Sequence, residues 1–358
     1  MKTFIIAEAG VNHNGSLKLA KNLVDIAVDS GADAIKFQTF KADDLVCLHA
    51  PKAQYQKISG ENESQYNMLK FLELSEKDQT ELHQYCSHRK ILFLSSPFDL
   101  DSAHFLCQTL QLPFIKIPSG EITNLPLLLK ISRSGIPSIL STGMSSLGEI
   151  ETALGILAFG YLYPTEEVNP AISSYDKIYY AKNGQEILQK KVSLLHCTSE
   201  YPAPFAEANL HAIQTLKRAF LLSVGYSDHT LGITVAIAAV ACGAEIIEKH
   251  FTLDKSLPGP DHQASLDPQE LKAMIQGIRQ VELALGTSQK IPTGSELKNR
   301  LIARKSLVSL EKIKKGALLN EKNMGCKRPG DGISPTKFYE YKDKIAERDY
   351  EKDDLIGI

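Results

Sequence analysis

Two lysines stand inside apolar runs of this sequence, Lys36 in AIKFQ and Lys116 in FIKIPSGE. A lysine so placed either carries its ammonium out to a rim, pairs with a buried acid, or holds an anion. Ser96, Ser119 and Ser227 follow comparable runs, and hydroxyls beside ammonium groups are directional donors for phosphate or carboxylate. Together they read as a cradle for a small substrate bearing two or three negative charges. His229 in YSDHT and His250 in IEKHF end consecutive apolar runs. As neighbours across one ladder they suit a divalent metal with positions left for water and substrate; taken singly, each also fits a hydrogen-bonded rim histidine. Glu8 and Glu121 are acids at run ends, able to move a proton, hold a substrate hydroxyl, or pair with Lys36 or Lys116. Asp261 lies in the LPGPDH turn, stiffened by Pro258 and Pro260, as a solvated turn acid or a ligand for sugar hydroxyls. In VNHNGS, Asn14 or Ser16 reads as a helix cap.

The elements that must position these residues follow from hydrophobic periodicity. Short β-rich runs fall at residues 4–7, 34–37, 92–94, 114–117, 138–140, 192–195, 222–225 and 245–247. Helical patterns fall at 16–30, 76–89, 101–110, 125–134, 147–159, 208–220, 232–242 and 268–285. Eight strand–helix units in the first 286 residues predict a closed (β/α)8 barrel more readily than an open doubly wound sheet. In such a barrel the chemistry sits at the C-terminal ends of the strands, where the residues above are placed. Two connections are longer than the rest: 39–74 is a candidate active-site loop, and 160–191 reads as a surface insertion. Residues 287–303 form a polar linker, and 304–358 alternate short strands with Gly/Pro turns, as in a small β-rich domain that leans on a partner surface.

The chain has 358 residues with 40 Lys+Arg against 42 Asp+Glu, a net charge of -2. That balance leaves no electrostatic footprint for nucleic acid. The longest apolar stretches are too short to span a bilayer, and the N-terminus reads as a buried strand and not a signal peptide. Six cysteines without a CxxC pair are thiols of a reducing compartment. A cytoplasmic protein is expected.

The motifs AEAGVNHNGS, AIKFQTFKA, SSPFD, KIPSGE, LSTGM, HCTSEYPAP, SDHT, EKHFT and PGPDH occur here in that order. In that order they resemble the sialic acid synthase family, which includes the N-acetylneuraminate and N,N'-diacetyllegionaminate synthases. KRPGDGISP resembles that family's C-terminal antifreeze-like (SAF) domain, and the likeness runs from about Phe4 to the C-terminus. It implies a TIM barrel that condenses phosphoenolpyruvate with an open-chain N-acyl hexosamine to give a nonulosonic acid and phosphate. It places Mn2+ or Mg2+ at His229 and His250, and phosphoenolpyruvate at Lys36, Ser96, Lys116, Ser119 and Ser227. The sugar falls to Gln38, Asn62, Glu121, Tyr201, Asp261 and Arg328. Glu8 matches an acid/base, in a catalytic set with Lys116, Glu121, His229 and His250. The resemblance further implies a domain-swapped homodimer in which Arg328 caps the other chain's barrel. The sequence departs from some relatives at Ser199, where they carry asparagine. Two rival readings remain: a metal-independent aldolase using Lys116 or Lys36 as a Schiff-base nucleophile, and a sugar- or ice-binding protein defined by the C-terminal domain.

Overall fold

The computed structural model describes residues 2–48, 50–51, 64–165 and 172–357. Its eight apolar runs become strands β1 (Phe4–Gly10), β2 (Ala34–Thr39), β3 (Leu92–Pro97), β4 (Ile115–Ile117), β5 (Ser138–Ser141), β6 (Val192–Cys197), β7 (Ser223–Asp228) and β8 (Ile246–His250). They hydrogen-bond in the order β3-β2-β1-β8-β7-β6-β5-β4, every pair parallel, and β3 lies against β4. This is the (β/α)8 barrel. Parallel strands are covered on both faces, so their sequences read as continuous apolar runs instead of alternating ones.

The first helix, Leu17–Ser30, shows how locally the boundaries are set. Ser16 Oγ accepts from Leu19 N, and Gly31 ends the helix at φ 85°, a left-handed geometry that favours glycine. Inside the barrel, Ile6, Ala34, Leu94, Ile139, Leu195 and Ile246 pack into one apolar layer closed by Phe4 and Phe114. Full burial of each large aliphatic side chain contributes roughly 1.5–3 kcal/mol. That layer is the dry floor beneath the next inward-facing residues along each strand.

Two sequence expectations are corrected. The described part of 160–191 is not a surface decoration: it holds helices Ile172–Tyr180 and Lys182–Lys191, and Tyr175, Tyr179 and Leu188 are buried in the barrel's main core. Tyr175 meets Phe159 edge-on, ring centroids 5.4 Å apart. A Cβ on Gly155 would come within 2.9 Å of the Tyr175 carbonyl oxygen, so glycine there allows the close approach. The stretch 287–303, read as linker, carries the helix Gly294–Ala303.

The chain divides into Met1–Gly286 and Thr287–Ile358. The second unit has its own core of Leu307, Ile313, Leu319, Met324, Ala346, Tyr350 and Ile356, and an antiparallel pair, β9 (Ser306–Ser309) with β10 (Met324–Lys327). Among the described residues, no helix is long and apolar enough to cross a membrane.

Candidate active site

Side chains on a strand alternate between its two faces. Counting upward from the floor, Ile6 leads to Glu8, Ala34 to Lys36 and Gln38, and Leu94 to Ser96. On β8, which pairs with β1, Ile246 leads to Glu248 and His250. These residues, with Lys116, Ser119, Ser227, Tyr201, His229 and Asp261, line one cavity of about 400 Å³.

At its base, two ammonium groups and two carboxylates are almost wholly buried. Lys36 Nζ lies 2.6 Å from Glu8 Oε2 and 3.8 Å from Glu248 Oε2, and donates to Ser96 Oγ at 3.2 Å. Lys116 Nζ lies 3.3 Å from Glu248 Oε1, which also accepts from Ser227 Oγ at 2.8 Å. Burial opposes ionisation of all four, and their mutual fields decide which remain charged. For Glu8 burial wins, and with Glu248 nearby its carboxyl is raised to about 8 despite Lys36. For Glu248 burial is outweighed by Lys116 and Lys36, and its carboxyl is held down to about 2. Burial pulls Lys36 down, but Glu248 and Glu8 leave it raised overall. Burial lowers Lys116, and Glu248 offsets this only in part. The base is therefore short of negative charge, and an entering anion would supply it.

Ser119 stands beside this base, its Oγ accepting from Gly143 N at 2.9 Å and lying 3.2 Å from Cys197 Sγ. A Cβ at Gly143 would collide with Ser199 Oγ and come within 2.9 Å of Ser119 Oγ. Glycine there keeps the wall thin.

Higher in the cavity the two histidines face each other, ring centroids 5.8 Å apart. His229 Nδ1 lies 2.6 Å from Thr198 O, which makes it the donor and leaves Nε2, 3.4 Å from Ser227 Oγ, as an acceptor. His250 Nδ1 is buried, with no hydrogen-bond partner among the described residues, 4.0 Å from Asp261 Oδ2. Burial lowers His229 to about 4 and His250 well below the usual range, so both rings are neutral near pH 7, as ligation requires. Among the described residues no third His, Cys, Asp or Glu completes a cluster. The pair fits a metal that keeps positions for water and substrate. Tyr201 lies against His229, ring centroids 4.1 Å apart and tilted by 33°, and meets His250 edge-on at 5.6 Å.

Asp261 is carried by the PGPDH turn. Asn14 pins that turn, donating from Nδ2 to Pro258 O at 2.9 Å, while its Oδ1 lies 3.1 Å from His262 Nε2. Asn14 thus tethers the turn, and Ser16 caps the helix. Burial raises Asp261 to about 6, Lys36 pulling the other way.

One expected residue lies off the cavity, one belongs to the second unit as expected, and one is outside the described residues. Glu121 follows Ser119 in a short 3-10 turn, where its Oε2 accepts from Asn124 at 2.6 Å, and it does not line the cavity. Arg328 stands in the second unit, its Nε donating to Ala303 O at 2.9 Å. Asn62 lies outside the described residues. Glu248 was missed, although the inward alternation from Ile246 through His250 points to it.

A (β/α)8 barrel with a buried lysine–carboxylate cage beneath a histidine pair is the site of an enzyme that handles a small anion. The NeuB family model matches residues 23–290. The chain is 51% identical over 356 residues, 99% of each chain, to the N,N'-diacetyllegionaminic acid synthase of Campylobacter jejuni. It is 48% identical to the enzyme of the same name from Legionella pneumophila, over 94% of this chain and 88% of that one. A solved N-acetylneuraminic acid synthetase from Leptospira borgpetersenii, in complex with citrate, superposes with a TM-score of 0.66 at 35% identity, over 84% of this chain and 90% of the other. This chain belongs to the NeuB family.

Proposed function

We propose that this protein condenses phosphoenolpyruvate with an open-chain 2,4-diacetamido-trideoxy hexose and water, giving a legionaminate-type nonulosonic acid and phosphate. The observation that carries the reading is the buried cage in which Lys36 and Lys116 share Glu248. The choice of sugar rests on the similarity to two diacetyllegionaminic acid synthases; N-acetylmannosamine is the other candidate. Lys36, Lys116, Ser96, Ser119 and Ser227 bind the phosphate and carboxylate; the cage's one excess positive charge offsets part of the anion's charge, and a divalent cation at the histidines would offset the rest. Gln38, Tyr201 and Asp261 orient the sugar so that its aldehyde carbon meets C3 of phosphoenolpyruvate. His229 and His250 would hold Mn2+ or Mg2+, and such a cation polarises an aldehyde oxygen. Glu8, protonated near neutrality, can give its Oε proton to that oxygen as the C–C bond forms. Water then adds at C2 as its proton returns to the Glu8 carboxylate, and the resulting hemiketal phosphate collapses to the C2 ketone, the phosphate departing with the bridging oxygen and the hydroxyl proton. Closure of the barrel mouth falls to the second unit of another copy of the chain, bringing Arg328 to the sugar's N-acyl carbonyl. A cytoplasmic setting fits these substrates.

Relatives named as synthases give the lysine-aldolase alternative no support. The test is phosphate release from phosphoenolpyruvate, with each candidate sugar, after EDTA treatment and Mn2+ addition. Metal-dependent release with the diacetamido sugar, at least about tenfold more efficient than with N-acetylmannosamine, is expected. No release with any N-acyl hexosamine, or borohydride trapping of pyruvate on the chain, overturns the reading.

A further inference from the structure

We infer that Asp228 and Lys249, on the outer face of the barrel, are positioning residues that fix the two histidines of the metal site. Each is the sequence neighbour of one histidine, and the two are directly paired in the register of β7 and β8. Alternation turns them away from the cavity while His229 and His250 point into it. Lys249 Nζ lies 2.8 Å from Asp228 Oδ2, both side chains at most 1% exposed, and it also donates to Thr230 O. Asp228 Oδ1 accepts from Thr230 N at 2.9 Å and from Thr230 Oγ1 at 2.8 Å.

The consequence is geometric. Both sequence neighbours of His229, Asp228 through its carboxylate and Thr230 through its carbonyl, are tied to a single ammonium group that rises from the strand bearing His250. Strand ends normally fray, because the ladder stops there; here the exit of β7 is stapled to β8 one residue from each imidazole. The Ser227–Glu248 hydrogen bond fixes the same two strands one step below, on the inner face. A buried ion pair is a weak source of stability, since an apolar pair of similar volume often does as well. What an apolar pair lacks is direction. The two acceptors of Lys249, Asp228 Oδ2 and Thr230 O, define where Thr230, and hence His229, must lie, and residues that orient metal ligands typically change affinity 10- to 100-fold when altered.

This inference rests on the metal reading of His229 and His250, and the experiment separates the two. Mn2+ binding to EDTA-treated protein is measured by calorimetry, with thermal unfolding followed in parallel, for wild type, Asp228→Asn, Lys249→Met and the double variant. Each single variant leaves a buried group unpaired and is expected to lose both stability and Mn2+ affinity. The double variant removes the unpaired charge, so its unfolding temperature returns toward wild type while its Mn2+ affinity stays about 10-fold or more below. Recovery of both properties in the double variant means that the pair is merely structural and overturns the proposal. Wild-type Mn2+ affinity in the single variants overturns it as well. Absence of Mn2+ binding by the wild type overturns the metal reading itself, and this inference falls with it. Should Lys249→Met fail to fold, Thr230→Val cuts one tether and leaves both charges, and the same drop in affinity is expected.

Discussion

Glu8 and Glu248 reach Lys36 together, and only one of them is ionised near neutrality. The difference comes from the second lysine: Glu248 lies between Lys116 and Lys36, whereas Glu8 has Lys36 alone at contact distance. Two acids with diverging proton affinities in one cavity commonly divide the acid and charge-stabilising roles. On the proposed function, Glu248 keeps the cage charged and Glu8 carries the mobile proton. Glutamine copies the shape and neutrality of a protonated Glu8 but has no acidic proton. Glu8→Gln is therefore expected to retain its melting temperature and phosphoenolpyruvate affinity at pH 7 and to lose turnover by a factor of roughly 10²–10⁴. A Glu8 ionised against Lys36 would behave differently, with stability and phosphoenolpyruvate binding falling together, and a melt alongside a binding titration distinguishes the cases. Glu248 was hard to read from sequence because EKH presents three polar residues in a row. Only the alternation set by Ile246 assigns Glu248 and His250 to the cavity and Lys249 to the outer face.

The strands themselves were legible, because burial on both faces leaves each an apolar run, and the eight helices after them carried their 3.6-residue period. Rim residues were legible to the extent that they end those runs, which is why Lys36, Lys116, Ser227, His229 and His250 fall into one cavity. Glu121 did not follow, since the backbone leaves the strand at Pro118 and turns within three residues, carrying that carboxylate to Asn124. The 160–191 segment misled for a different reason: its tyrosines and asparagines look like a solvated loop, yet Tyr175 is only 2% exposed. Its ring fills space against Phe159 that a loop would leave open. Tyr175→Ala is expected to destabilise the barrel by about 3 kcal/mol, in the range for deleting a buried aromatic ring. Urea unfolding at constant slope checks this, and a change below about 0.5 kcal/mol would return the segment to the status of a decoration.

At the scale of the whole chain, the distribution of histidine sets the response to acid. All ten histidines precede residue 287, so protonation of imidazole concerns the barrel and not the second unit. Burial lowers His13, His229 and His262 to about 4, with smaller like-charge and hydrogen-bond contributions, and lowers His250 further. The unfolded chain binds protons at these four near the ordinary value of about 6.5. Between pH 6.5 and 4 it therefore holds protons that the native state does not, and stability falls as pH falls. Burial acts with the opposite sign on Glu8 and Asp261, raised to about 8 and about 6. The native state holds their protons where the unfolded state has released them, so both favour folding at lower pH. Near pH 5, four imidazole protons stand against two carboxyl protons, and the net difference of about two gives a loss of roughly 3 kcal/mol per pH unit. Only about one pH unit above 6.5 do the imidazoles cease to differ between states, and from there Glu8 makes stability decline gently toward pH 8. EDTA-treated protein is thus expected to be most stable near about pH 7, with a steep acid side and a shallow alkaline one. Denaturant unfolding of EDTA-treated protein from pH 5 to 8 measures that curve directly, and stability that holds level or rises from pH 6.5 down to 5 would mean that the histidines at the barrel mouth are already charged in the native state.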